Sequence, residues 1–488
     1  MFRHEEQVSR QWVIKYSLVV IAIVFVFIGT FLTLAARDYA RALQYRDAAW
    51  EEAVRFIALR MNENHPMLSE RQTLVYTRDH FIDPGYFSDF LQPDDADTRS
   101  FFDPEVRAEF DRRIEHLITR IPDLNEREIL FGIREAAAVL GDANTNINIS
   151  RGLFFPFDIV YIDGSFYVYR IIAGYEHLLY TKLVAINGIA IDEVMTRLAA
   201  IIPHENEYML RSYAQNNLHT RALLSYMNVY DGGISFLEQF SSFMSGRWSD
   251  EIPSTFSFED EMGTVHSINL VSRSTLRGGS VVRESISYRD TTEMLKYLNP
   301  MSNYWFEYFP ENNMIYVRLR LISEMTAMPY AEFGRMIADE IDGILQDKGV
   351  IDRFVVDLRG SRGTWPPPLY TAAEFLNNTN INNFFILIDH DTRAGGVVSA
   401  ALLRDLVDGA KLMGEPTGHS PNFFANPISF RIPYNLPGNR AGFTVSTTYW
   451  NLAEDDERTA LIPDIYVPRS LEAHMNNRDS VMEMVLGM

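Results

Sequence analysis

The sequence predicts a mixed α/β (α+β) chain of several modules, and three observations carry that expectation. One uncharged apolar run of 21 residues lies near the start, Tyr16 to Ala36. Short β-rich runs separated by Asp-Gly and Asn-Gly turns occupy the middle. From Asn313 onward, apolar strands alternate with amphipathic helices, the pattern of a parallel α/β sheet. At 488 residues the chain is too long for one ordinary domain.

The apolar run YSLVVIAIVFVFIGTFLTLAA is fenced by Lys15 and Arg37. Roughly 20 apolar residues span a bilayer core, whereas a cleaved signal has an apolar region of about 7–15. The expectation is therefore a short tail over 1–15 and a transmembrane helix over 16–36, a lipid-bilayer anchor. Arg3, Arg10 and Lys15 before the run balance Arg37, Arg41 and Arg46 after it. The short N-terminal arm favours a single-pass cell-membrane protein with its bulk extracytoplasmic.

Residues 37–152 read as a helical region, with apolar residues at three- and four-residue spacing and charges between them. Pro104 marks one helix start, and Gly141 marks the end of another. Residues 153–230 begin with a strand-rich segment: IDG between two β-rich runs is a hairpin signal, and KLVAINGIAIDEV reads as strand, turn, short strand and helix. Residues 231–488 carry the main α/β core. Its strands MIYVRLRLI, RFVVDLRG and FFILIDH and its helices leave three loops where strand carboxyl ends gather: GSRGTWPPP, HDTRAGG and GEPTGHSPN.

Composition excludes several chemistries. The formal net charge of −21 argues against nucleic acid as a partner. With no cysteine there is no disulfide, thiol catalysis or cysteine-based metal site. The 11 histidines are scattered, and no metal motif or phosphate loop is present, so neither metal nor cofactor is expected.

VVDLRGSRG resembles the strand and glycine loop of the C-terminal processing (tail-specific) serine peptidases, which usually read DLR followed by N-x-G-G. DHDTRAGGVVSAALLRD is similar to their nucleophile turn and helix. KLMGEPTG resembles the G-E-x-T loop before their catalytic lysine, and LIPDIYVPRS their closing segment. LLYTKLVAINGIAIDEV is similar to their PDZ-like peptide-binding insert, and LGDANTNINI to a helix end that usually reads D-x-H-T, with Asn144 at the histidine. These motifs fall in family order across about 125–488. The resemblance implies a peptidase-like core, a PDZ-like insert over 153–230 and binding of peptide or protein C-termini.

It also implies a site whose chemistry is gone. The nucleophile position falls on Ala394 or Gly395, neither of which carries an oxygen, and the lysine position on Ser420. Lys411 lies before the loop. Gly360, Gly363, Gly395 and Gly396 are expected to form the oxyanion and peptide-binding backbone. Arg359 is either an ion-pair residue or a ligand contact. Trp365, beside Thr364 and ahead of Pro366 to Pro368, is a rigid groove lip or packing. His419 and Ser420 read as a solvated loop. The leading expectation is an inactive, membrane-anchored relative that binds peptide or protein termini. The alternatives are an active peptidase with a relocated nucleophile at Ser399 or Ser361, and a scaffolding membrane protein without a ligand.

Overall fold

The computed structural model describes residues 41–82, 97–149, 153–229, 253–274, 302–363, 373–432, 442–453, 459–476 and 478–488. Its centre is a six-stranded sheet in the order Tyr304–Phe309, Met314–Leu319, Ile351–Asp357, Ile381–Ile388, Lys411–Gly414, Ile465–Tyr466. The first pair is antiparallel and the remaining pairings are parallel. Continuous apolar runs suit strands covered on both faces. On one face, Phe354, Val356, Ile386 and Ile388 meet Phe333, Ile337 and Ile341 of the helix Tyr330–Lys348 and Val397 and Ala400 of the helix Gly395–Leu406. On the other, Tyr316, Val355, Leu387 and Met413 meet Val481, Met482 and Val485 of the C-terminal helix Ser480–Gly487.

A second sheet runs Val265–Val271, Pro253–Glu259, Lys182–Ile186, Ser165–Ile171, Phe157–Ile162. Asp163 (φ 49°) with Gly164 (φ 74°), and Asn187 (φ 49°) with Gly188 (φ 78°), take the left-handed conformations that a tight two-residue hairpin demands. Phe256, Phe258, Leu183 and Ile186 pack with residues of the helices Ile191–Ile201, Glu207–Asn217 and Arg221–Tyr226. The sheet therefore draws two strands from beyond residue 230, where the strand-rich segment was expected to end.

The region expected to be helical holds the helix over 41–64 and the helices Pro104–Arg120 and Glu126–Ala137. They bury Trp50, Val54, Ile57, Phe110, Ile114 and Ile133 together. Asp103 caps the second, accepting from the amides of Glu105 and Val106; Asn125 and Glu128 form a capping box on the third. This region also contains strands. Thr73–Thr77 pairs in parallel with Thr448–Asn451, and Asn146–Ile147 pairs with Gly442–Val445. Phe443 and Val445 complete the helical cluster, so the two ends of the chain share a core.

The expectation of a single-pass membrane protein is corrected here. Among the described residues no helix is long and apolar enough to cross a membrane. The tail 1–15 and the run 16–36 on which that expectation rested lie outside the described residues, as do Thr364 and Trp365.

Candidate active site

Three loops follow adjacent parallel strands and therefore converge at one sheet edge. The first follows Ile351–Asp357. Asp357 is fully buried and accepts from the Arg359 backbone amide (3.0 Å), from Arg359 Nη2 (2.7 Å) and from the Tyr316 hydroxyl (2.6 Å). Arg359 Nε also donates to Asp357 Oδ1 at 3.0 Å, and Nη1 and Nη2 reach Asp479 at 2.7 and 2.8 Å. Burial alone would raise the Asp357 carboxyl, but Arg359 and Arg318 hold it well below the ordinary carboxylate range. Arg359 is thus an ion-pair residue that ties the first loop to the cap of the C-terminal helix.

The glycines of this loop have defined tasks. Gly360 (φ 68°) donates its amide to Asp389 Oδ1 at 2.7 Å, so that N–H is already engaged. Gly363 (φ 131°) pairs with the short strand Leu321–Ile322, and a Cβ there would sit 2.3 Å from the Ile322 carbonyl oxygen. Ser361 is fully buried, and its hydroxyl has no partner among the described residues.

The second loop, after Ile381–Ile388, carries the expected nucleophile position. Asp389 accepts from the amides of Gly360 and Asp391, while Thr392 donates to the Leu358 carbonyl. The Arg393 amide donates to the Ser361 carbonyl at 2.8 Å. These bonds clamp the turn from both sides. Ala394 then sits at the N-cap of Gly395–Leu406 with φ 46° and ψ −121°. That is a disfavoured conformation for a residue with a Cβ, of the kind that persists only when the surroundings over-determine it. Gly395 and Gly396 are buried as the first helical residues. A Cβ on Gly396 would lie 2.8 Å from the Ser361 carbonyl, so close packing of the two loops requires glycine there. The Gly396 amide donates to the Arg393 carbonyl, whereas Gly395, as the first helical residue, has no intrahelical acceptor.

The third loop, after Lys411–Gly414, brings His419 to Ala394. The Ala394 amide donates to His419 Nδ1 at 3.3 Å. Burial pushes the His419 imidazole down to about 3, Arg393 adding to the effect and Asp142 opposing it, so the ring is neutral. Ser420, at the lysine position, is fully buried; its hydroxyl accepts from the Asn422 amide and its own amide donates to Glu205. His419 and Ser420 are therefore packed interior, which corrects the expectation of a solvated loop. Lys411 is exposed on its strand, and no lysine lines the cleft among the described residues. Ser399 is buried and donates to the Gly395 carbonyl at 2.6 Å, a back-bond within its own helix.

Residues of the helix Glu207–Asn217 and the turn before it reach into this edge. Asp391 accepts from the Ser212 hydroxyl and from Gln215 Nε2, while Glu205 holds Ser420. A cavity of about 760 Å³ lies between these elements, lined by Ala394, His419, Gly360, Arg359, Asn144 and Ser212 among others. Asn144 donates through its side-chain nitrogen to the Phe424 carbonyl. Sequence reasoning missed the approach of His419 to Ala394 and the docking of Ser212, Gln215 and Glu205. Both join segments far apart in the chain, which no local spacing encodes.

The fold is that of the tail-specific serine peptidases, the family the sequence resembles. Mature CPAF complexed with lactacystin superposes with a TM-score of 0.51 at 10% identity, covering 90% of this chain and 97% of that one. Mature CPAF alone gives 0.50 at 10% identity, over 90% of this chain and 96% of that one. The photosystem II D1 C-terminal processing protease is matched over 89% of this chain and 98% of its own, at 12% identity and a TM-score of 0.33. No family model matches the chain, and no curated protein matches it.

Proposed function

We propose that this chain is a catalytically degenerate tail-specific-peptidase-like protein that binds peptide or protein termini in the cleft at Ala394, with the strand-rich unit beginning near residue 153 serving as a PDZ-like arm. The observation that carries the reading is the turn itself. Ala394 keeps a strained conformation at a helix N-terminus, facing the cleft, with a neutral histidine beside it and a methyl group where a nucleophile would need an oxygen. Acyl transfer needs a nucleophile and a base within hydrogen-bond reach, and Ser399, Ser420 and Ser361 do not meet that need. Ser399 is committed to its own helix, and Ser420 to a turn. Ser361 is buried behind Gly396, away from the cavity lining.

The test uses the full chain. A fluorophosphonate probe should leave it unlabelled, and an activated ester should give no acyl-enzyme burst. Fluorescence anisotropy with short labelled peptides should show saturable binding that Ala394→Trp weakens by filling the cleft. Labelling that Ser361→Ala or Ser399→Ala removes would overturn the degenerate reading in favour of a relocated nucleophile.

A further inference from the structure

The cavity is rich in positive charge although the chain carries a formal −21. Eight arginines line it, against three aspartates and no lysine. Five of the eight have carboxylate partners: Arg318 and Arg359 with Asp357, Arg393 with Asp391, Arg469 with Glu415, and Arg478 with Glu472 and Glu483. The other three, Arg134, Arg320 and Arg362, have none among the described residues. Leu321 pairs with Arg362 across a short parallel ladder, which brings Arg320 beside it at one wall. Arg134 projects from the helix Glu126–Ala137 at another.

Arg134 is the telling residue. It is only 6% exposed, it donates to the Tyr213 hydroxyl and the Ile147 carbonyl, and its Nε has no partner among the described residues. Buried charges are ordinarily paired, because an isolated ion loses its hydration without recompense. The guanidinium is held by two neutral acceptors and lies over the rings of Phe131 and Tyr213, and no carboxylate among the described residues offsets its charge. Arginine's planar fork matches a carboxylate in bidentate fashion.

We propose that the cavity selects acidic peptide segments, whose Asp and Glu carboxylates pair with Arg134, Arg320 and Arg362. The proposal rests on the peptide-binding reading above and sharpens it to a substrate class. A space of about 760 Å³ is larger than a single small anion needs. The three unmatched cations stand on two walls, Arg320 and Arg362 on one and Arg134 on the other, so a segment with several carboxylates satisfies them better than one isolated ion.

The experiment is anisotropy on the full chain with two fluorescent decapeptides, one carrying Glu at alternate positions and the other Gln at the same places. The Glu peptide should bind about 10-fold or more tighter at low salt, and the advantage should shrink as ionic strength rises. The double variant Arg320→Gln/Arg362→Gln changes only exposed or half-buried side chains and should reduce the preference several-fold while leaving Gln-peptide binding in place. Arg134→Met should reduce it further, with circular dichroism reporting whether the variant folds. If it does not fold, the double variant decides alone. Equal affinity for the two peptides overturns the acidic preference and leaves the peptide-binding reading standing. Absence of binding by either peptide overturns both. Displacement of the Glu peptide by millimolar inorganic phosphate, at concentrations where glutamate has no effect, reassigns the arginines to phosphate and overturns the carboxylate assignment.

Discussion

Two turns at the same sheet edge are built on opposite terms. The turn at Arg359 is saturated: every group on the Arg359 fork and the Asp357 carboxylate has a partner, and the network reaches from the sheet to the C-terminal helix. The turn at Ala394, five residues beyond Asp389 in chain order, holds a disfavoured backbone and offers a methyl group to the cleft. The first is an interaction that would be expensive to lose. The second is a shape maintained by its neighbours for which the alanine itself gives no reason. The difference shows that a backbone conformation at a sheet edge can be set by the bonds of neighbouring residues as firmly as by a saturated ion-pair network.

The largest expected effect comes from breaking the saturated turn. Asp479→Asn keeps the shape but removes one carboxylate from the fork of Arg359, leaving a buried cation short of a partner. Breaking a buried pair by removing one member typically costs about 3–5 kcal/mol. Chemical denaturation should show a fall of that order, with the C-terminal helix becoming the first segment to exchange its amides. A loss under about 1 kcal/mol, the range of surface pairs, would mean the network is not holding the helix.

Much of this architecture is legible in the sequence. The alternation after Asn313 marks the sheet strands, and Asp163-Gly164 and Asn187-Gly188 mark the hairpin turns, because those signals are local in period and chirality. The order and spacing of the motifs put Ala394 at a helix start, where it lies. The pairing of Thr73–Thr77 with Thr448–Asn451 is hidden, since its two strands are separated by most of the chain. Burial of His419 and Ser420 is hidden for the same reason. A His-Ser pair among glycines and prolines reads as exposed until Glu205, from another segment, is seen to accept from the Ser420 amide. The N-terminal apolar run, on which the membrane assignment rested, lies outside the described residues, and no described helix is long and apolar enough to cross a membrane.

A second prediction sharpens the contrast through pH. His419 is neutral in the folded chain because its value is pushed down to about 3 from an ordinary 6.5. As pH falls below 6.5 the unfolded chain takes up a proton that the folded chain refuses until about 3. The unfolded state therefore binds more protons in that window, and stability is present above it and drains away on acidification. His390, also depressed chiefly by burial, acts in the same direction. His419→Gln retains an acceptor for the Ala394 amide while removing the titration. The melting temperature of the variant should depend less steeply on pH between 6.5 and 4 than that of the parent, with a residual slope from His390. Identical slopes would place His419 in a wetter setting than its burial indicates.

The smallest effect probes the strained turn directly. At φ 46° and ψ −121° a side chain meets local backbone atoms that glycine avoids. Strain of this kind is worth about 1–3 kcal/mol, while glycine's extra freedom in the unfolded chain takes back about 0.5–1. Ala394→Gly should therefore stabilise the protein slightly, by about 1 kcal/mol, and Ala394→Val should destabilise it, since a branched side chain tolerates positive φ worst. The pair of signs matters more than either size. Deleting a methyl from a well-packed position lowers stability, so a gain on Ala394→Gly cannot come from packing and has to come from relief of the backbone. If both substitutions destabilise, the turn is held by contacts of the Ala394 methyl rather than by the bonds of Thr392, Arg393 and Ser361 around it. The contrast with the Arg359 turn then disappears, because both would be stabilised by what their own side chains touch.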